Sequence, residues 1–216
     1  MSRWKILAIA IGVAVALPAG PTRATAAEPK LTLRGCAVHV EPTGDDLAGL
    51  LPGGEPFAFR VEGGLGAGLE AEYRIRPRLG IELAALAADL DAELVTAPGG
   101  QVLRDTESAA FELFSAGVNY HRPVGGFDLH VGAFAAIVYF DDVVFLTEVG
   151  RSDKLVFDDD TGFGIKLGLD RAIGASGRWL VSLSTRYLGA ILEGETAGQD
   201  TDLDPLIVSL GIAYRF

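Results

Sequence analysis

Leu203-Asp204-Pro205-Leu206-Ile207-Val208-Ser209-Leu210-Gly211-Ile212-Ala213-Tyr214-Arg215-Phe216 closes the chain. Counted back in twos, Phe216, Tyr214, Ile212, Leu210, Val208 and Leu206 are apolar or aromatic. The alternate set, Arg215, Ala213, Gly211 and Ser209, is small or polar. A period of two is a β-strand with one apolar face and one polar face. A last strand that ends on an aromatic residue suits the closing strand of an outer-membrane barrel, where aromatic rings sit at the membrane interface. The competing reading is an edge strand of a soluble sandwich, and the rest of the chain decides between them.

The first residues read as a cleaved signal peptide, 1–27: Arg3 and Lys5, then an apolar run from Ile6 to Leu17, then the small-residue site Ala24-Thr25-Ala26. The run is too short for a membrane-spanning helix. Residues 28–216 are then one domain, large enough for a sizeable core. Without Arg3, Lys5 and Arg23, the 18 basic against 29 acidic residues become a net charge of about −14. That balance excludes nucleic acid as a partner. No stretch after the signal reaches 18 consecutive apolar residues, which argues against a helical membrane protein. Cys36 is the single cysteine, so an internal disulfide and cysteine-based metal clusters are excluded. The arginine in Leu33-Arg34-Gly35-Cys36 argues against a lipoprotein cleavage box.

Eight period-two segments follow: Leu31 to Val40, Val61 to Ile75, Leu79 to Val95, Ser108 to His121, Phe127 to Asp141, Gly162 to Ile173, Arg178 to Leu192, and the terminal strand. Leu83 to Leu94, rich in alanine and leucine, also scores as a helix. Its flanking alternation and its place between two turns favour a strand. Connections after the second, fourth and sixth segments are tight (Arg76-Pro77-Arg78, Arg122 to Gly126, Gly174 to Gly177), and the others are long and rich in Gly, Pro and Asp. Alternating short turns and long loops is the asymmetry of outer-membrane barrels. A closed sheet also satisfies every backbone group in lipid. The expected fold is all-β: an eight-stranded antiparallel transmembrane β-barrel of outer-membrane type, in the bacterial outer membrane of a Gram-negative cell. A soluble lipocalin-like barrel would instead place its apolar face inward. Two aromatic bands tip the choice: Tyr73, Tyr120, Phe127, Trp179, Tyr214 and Phe216 near the short turns, and Phe114, Tyr139, Phe163 and Tyr187 near the long loops. Gly211, Tyr214 and Phe216 match the terminal signal read by the barrel-assembly machinery, so that machinery and outer-membrane lipid are the expected partners.

Several short motifs are similar to the OmpW family of small outer-membrane barrels. They are Leu33-Arg34-Gly35 through Val40-Glu41-Pro42, Leu79-Gly80-Ile81-Glu82-Leu83, Gly117-Val118-Asn119-Tyr120 and Lys166-Leu167-Gly168-Leu169-Asp170. Arg178-Trp179-Leu180 and Asp204-Pro205 leading into Gly211 to Phe216 complete the set. Leu206 stands where that family commonly has Trp, which removes an interface anchor. The resemblance implies an eight-stranded barrel with an apolar lumen, passage of small hydrophobic molecules, and no catalysis.

The inward phase divides by height. Near the short turns it holds Arg34, Glu70, Glu72, Arg74, Glu82, Asn119, Asp128, His130, Lys166, Asp170, Arg186 and Arg215, a charged plug. Near the loops it holds Val38, Leu86, Leu113, Phe134, Val138, Phe140, Leu188 and Ile207, with Gly66, Gly68, Gly162 and Gly164 leaving room for an apolar pocket. Mixed charges in a narrow lumen pair and stop water, whereas an apolar pocket suits a small apolar guest. The expectation is a funnel, open outside and plugged below, whose guest leaves sideways into the bilayer.

No serine stands near His39, His121 or His130 in a nucleophile–base motif, so no enzyme and no catalytic residue is expected. The acidic run Asp153 to Asp160 lacks the glycine-punctuated spacing of a calcium loop and reads as a solvated face; no metal or cofactor is expected. Two function classes remain open: a passive, porin-like transport conduit or binding site for small hydrophobic molecules, and a structural or interaction barrel resembling the OmpA membrane domain, with a sealed lumen.

Overall fold

The computed structural model describes residues 30–43, 47–50, 56–96, 103–140, 143–146, 152–157, 160–189, 194–195 and 204–216. The expected signal peptide, residues 1–27, lies outside them. Among the described residues the chain forms strands and no helix: β1 (Leu31–Pro42), β2 (Leu47–Leu50), β3 (Pro56–Arg76), β4 (Leu79–Thr96), β5 (Leu103–Val124), β6 (Phe127–Phe140), β7 (Val143–Leu146), β8 (Ser152–Phe157), β9 (Asp160–Ile173), β10 (Trp179–Gly189), β11 (Gly194–Glu195) and β12 (Pro205–Arg215).

Eight of them close a barrel in the order β1-β12-β10-β9-β6-β5-β4-β3, each pair antiparallel, with β3 returning to β1. The terminal strand therefore seals the barrel. Ala37 lies opposite Leu210 on β12 and opposite Ala67 on β3. Closure leaves no unpaired edge, the condition for strands in lipid. Leu83 to Leu94 is strand throughout, since β4 is paired from Leu79 to Thr96 on β3 or β5. The β5–β6 connection is a two-residue hairpin in which Gly125 and Gly126 both have positive φ, 57° and 87°. That is the backbone twist such a turn demands.

The period-two reading holds along the barrel. Leu65, Ile81, Val131, Ile165, Leu167, Leu183, Leu210 and Ile212 all point outward and are exposed, while their neighbours turn into the lumen. The outward phase of β1 is Gly35, Ala37 and His39. A continuous apolar exterior is unfavourable in water and favourable in hydrocarbon. Aromatic rings pair within each band: Trp179 with Tyr214 at 5.0 Å and Tyr214 with Phe216 at 4.8 Å at one end, Phe114 with Tyr139 at 6.0 Å at the other.

The loop end departs from the sequence reading. β3 and β5 run 21 and 22 residues, about twice what crosses a bilayer. Up β4 the outward set changes from Ile81 and Leu83 to exposed Asp89 and Asp91, so the wall continues beyond the lipid. The acidic stretch after β6, read as a solvated loop, contains the hairpin β7–β8, and β11 from the next loop adds to β8. Four- and six-residue strands next to charged residues carry too weak an alternation to be seen in sequence.

Candidate functional site

The lumen is built from the inward face of all eight barrel strands. In its lower part Arg34, Arg74, Lys166, Arg186 and Arg215 meet Glu70, Glu72, Glu82, Asp128 and Asp170, five charges of each sign. Lys166 Nζ lies 2.8 Å from Glu70 Oε2 and 2.7 Å from Glu82 Oε2. Arg186 Nη2, from the neighbouring strand, bridges the same two carboxylates, 2.7 Å from Glu70 and 3.0 Å from Glu82. Arg34 Nη2 reaches Asp170 at 2.8 Å and Glu72 at 3.1 Å. Asn119 Nδ2 donates to Glu82 Oε2 at 2.9 Å. Nearest the short turns, Arg74 and Arg215 share Asp128, the latter pair at 3.0 Å.

Hydration grades along this network. The side chains of Arg74, Asp128 and Arg215 are 18%, 14% and 20% exposed, whereas those of Arg34, Glu70, Lys166 and Arg186 are at most 2%. Charges removed from water are tolerable only when paired, and here the count closes. An ion or polar solute would have to break several buried pairs to pass. The arrangement is a plug.

One member is not among the plug residues named from sequence. His121, inward on β5, has Nε2 2.8 Å from Glu72 Oε1 and Nδ1 2.9 Å from Arg74 Nη2, and stacks on His130 with ring centroids 5.2 Å apart. Its place two residues beyond inward Asn119 is the signal that marks it. His130 occupies the space over Gly168, where a methyl group would collide with its imidazole. Glu72, His121 and His130 offer three ligand atoms within 4.8 Å of one another. Arg34 and Arg74 already hold Glu72, and the ten charges balance without either imidazole, so a divalent cation would add uncompensated buried charge. None of the three histidines has a serine or cysteine as hydrogen-bond partner among the described residues.

Above the plug the inward residues are apolar: Val38, Leu86, Leu113, Phe134, Val138, Phe140, Leu188 and Ile207, joined by Val40, Leu90, Phe111 and several alanines. All are between 0% and 7% exposed. Here the structure corrects the expectation of an open pocket. Phe134 fills the space over Gly164, and Leu86 fills that over Gly68. An eight-stranded lumen is just wide enough for side chains, so room made by a glycine is taken by the residue facing it. The upper lumen is a packed core, not a funnel standing open. Cys36 lies between plug and core as a free thiol, its Sγ 3.5 Å from Gly68 O. Gly211 has Gly35 and Cys36 of β1 against it, while Phe216 is exposed on the outside.

No family model matches the chain, and no curated protein is similar to it in sequence. Solved structures are similar. The outer membrane protein OprG from Pseudomonas aeruginosa superposes with a TM-score of 0.66 at 16% identity, over 88% of this chain and 97% of that one. The outer membrane protein AlkL does so at 0.60 and 17%, over 92% and 95%. Neisserial surface protein A gives 0.51 and 13%, over 86% and 97%. At such identities the likeness is one of fold: the chain is a closed eight-stranded antiparallel barrel of the outer-membrane type.

Proposed function

We propose that the packed apolar side chains of this outer-membrane barrel's upper lumen part to admit small hydrophobic molecules from the outside, which leave sideways through the wall into the bilayer. The observation that carries the reading is the depth to which the apolar lumen descends. Phe134 and Leu188 both face Gly164, one residue from the lipid-facing Ile165. A barrel wall in lipid needs no apolar interior at that level, and polar pairs would serve. An apolar interior there has no polar group to satisfy and offers an apolar guest a compatible surface. Below it the paired plug blocks the axial route, which leaves the wall as the exit. The resemblance of short motifs to the OmpW family points the same way.

A second reading is a sealed structural barrel, and the close packing of the upper lumen favours it. Part of that core also has a plain explanation. Where β4 turns outward Asp89 and Asp91 to water, inward Leu90 and Ala92 form the core that any water-exposed wall requires. The two readings separate on binding of an apolar fluorescent probe to purified protein. The conduit reading expects saturable binding that Phe134→Asp and Leu188→Asp abolish. Unaltered affinity in both variants, or no binding to the unmutated chain, supports the sealed barrel.

A further inference from the structure

The short-turn end of the barrel, which in an outer-membrane barrel faces the periplasm, carries cations that no carboxylate among the described residues meets. Arg76 and Arg78 flank the first turn, Arg122 precedes the second, and Arg171 and Arg178 bracket the third. All five are exposed. Among the described residues none has a carboxylate partner, whereas each lumenal cation has at least one. Residues 76–78, 122–127 and 171–179 contain no Asp or Glu. The net charge of −11 therefore conceals a basic collar at this end, whose described acids all lie inside the lumen, paired there.

Arg171 differs from the other four in lining a groove on the outer wall. On the outward phase of β9 it lies between Phe127 of β6 and Val181 of β10, its guanidinium 5.1 Å above the Phe127 ring. Beside it a groove of about 500 Å³ opens on the outside of the barrel, walled by Leu169, Ile173, Val181 and Leu183. The groove sits at the level of Trp179 and Tyr214, the interfacial aromatic band. An unpaired guanidinium pointing out of a lipid-facing wall, with an apolar groove leading from it toward the membrane interior, has the chemistry of one ligand. It would pair bidentately with a phosphate whose attached chain is hydrocarbon.

We infer that this groove binds one anionic phospholipid of the periplasmic leaflet. Its acyl chain runs along Leu169, Val181 and Leu183 and its phosphate meets Arg171. Arg76, Arg78, Arg122 and Arg178 favour anionic headgroups around the rim through the same surface electrostatics that draw basic segments to acidic lipids. A free phosphate shares the guanidinium chemistry but leaves the groove empty.

Trp179 lies opposite Ile173, at the groove's edge, and reports on occupancy. The barrel is reconstituted in phosphatidylcholine vesicles containing a small, equal fraction of either phosphatidylglycerol or phosphatidylcholine with brominated acyl chains. Tryptophan quenching is then measured, with Trp179→Phe giving the background. The expected result is an apparent affinity about fivefold higher for the brominated phosphatidylglycerol. Arg171→Gln should bring the ratio to about one and Arg171→Lys should keep part of it, both variants still migrating as heat-modifiable barrels. Inorganic phosphate should not relieve the quenching. Equal quenching by the two lipids overturns the inference, as does a preference unchanged in Arg171→Gln; relief by phosphate would reduce the site to a simple anion site. If Arg171→Gln does not assemble, mass spectrometry of lipid retained by the unmutated barrel decides, and equal retention of both lipids overturns the proposal.

Discussion

Arg34 Nη2 lies 2.8 Å from Asp170 Oδ2, a contact between residues 136 apart in sequence whose strands, β1 and β9, are separated by two others around the barrel. The pair is a strut across the lumen. Arg34→Leu leaves Asp170 and part of Glu72 as buried charge without a partner, and should destabilise the barrel by about 3–5 kcal/mol. The double variant Arg34→Leu, Asp170→Leu should recover much of that loss, because Glu72 keeps Arg74. Urea unfolding in lipid vesicles measures both. Equal losses in the single and double variants would show that the pair is not the unit of stability.

The lipid-facing phase makes the cost of a charge depend on depth. Leu167 lies opposite Thr185 and Val131, well inside the apolar band, whereas Val181 lies level with Arg171 near the interface. Leu167→Arg should cost roughly 2–4 kcal/mol and Val181→Arg about 0–1 kcal/mol. The same unfolding assay tests the order, and a larger loss at Val181 would contradict the placement of the membrane. Ser182, next to Val181, faces the packed lumen and is buried. It should accept Ala and reject Asp.

Phe134 and Gly164 are complementary in volume, the ring of one occupying the space where a side chain of the other would be. Phe134→Ala should cost about 3–5 kcal/mol through the cavity it leaves. Gly164→Val should cost more than the roughly 1–3 kcal/mol of ordinary overpacking, because its Cβ would also meet the Tyr187 backbone carbonyl oxygen at 2.5 Å. Combining the two should give less than the sum of the single losses, a coupling that a double-mutant cycle reads directly. Additive losses would mean the ring has another resting place.

The exposed terminal ring is expected to act in assembly rather than in packing. Phe216 lies on the outside, in contact with Tyr214, and contributes nothing to the lumen. Deleting it should leave protease-sensitive, unassembled chain in the periplasm, while the stability of barrel refolded in detergent should change little. Normal abundance of heat-modifiable barrel in cells would exclude a role for this residue in recognition by the assembly machinery.

Face was legible in the sequence because a strand has a period of two and a closed barrel in lipid has only two environments. Every second residue from Leu206 to Phe216, the band of Leu167, Leu210 and Ile212, and the inward charges from Arg34 to Arg215 all follow from that alternation and nothing else. Turn chemistry at Gly125-Gly126 was legible for an equally local reason, the positive φ that glycine adopts without strain. The partner of each inward charge was not. Whether Arg34 meets Asp170 or another acid depends on the stagger between strands far apart in the chain, and no local pattern encodes it. The same holds for space. Gly164 in sequence says only that a side chain is missing; the tertiary structure decided that Phe134, arriving from the neighbouring strand, fills the gap. It also gathered Arg76, Arg122 and Arg171, far apart in the chain, into one basic collar, because three hairpins of an antiparallel barrel must end on the same side.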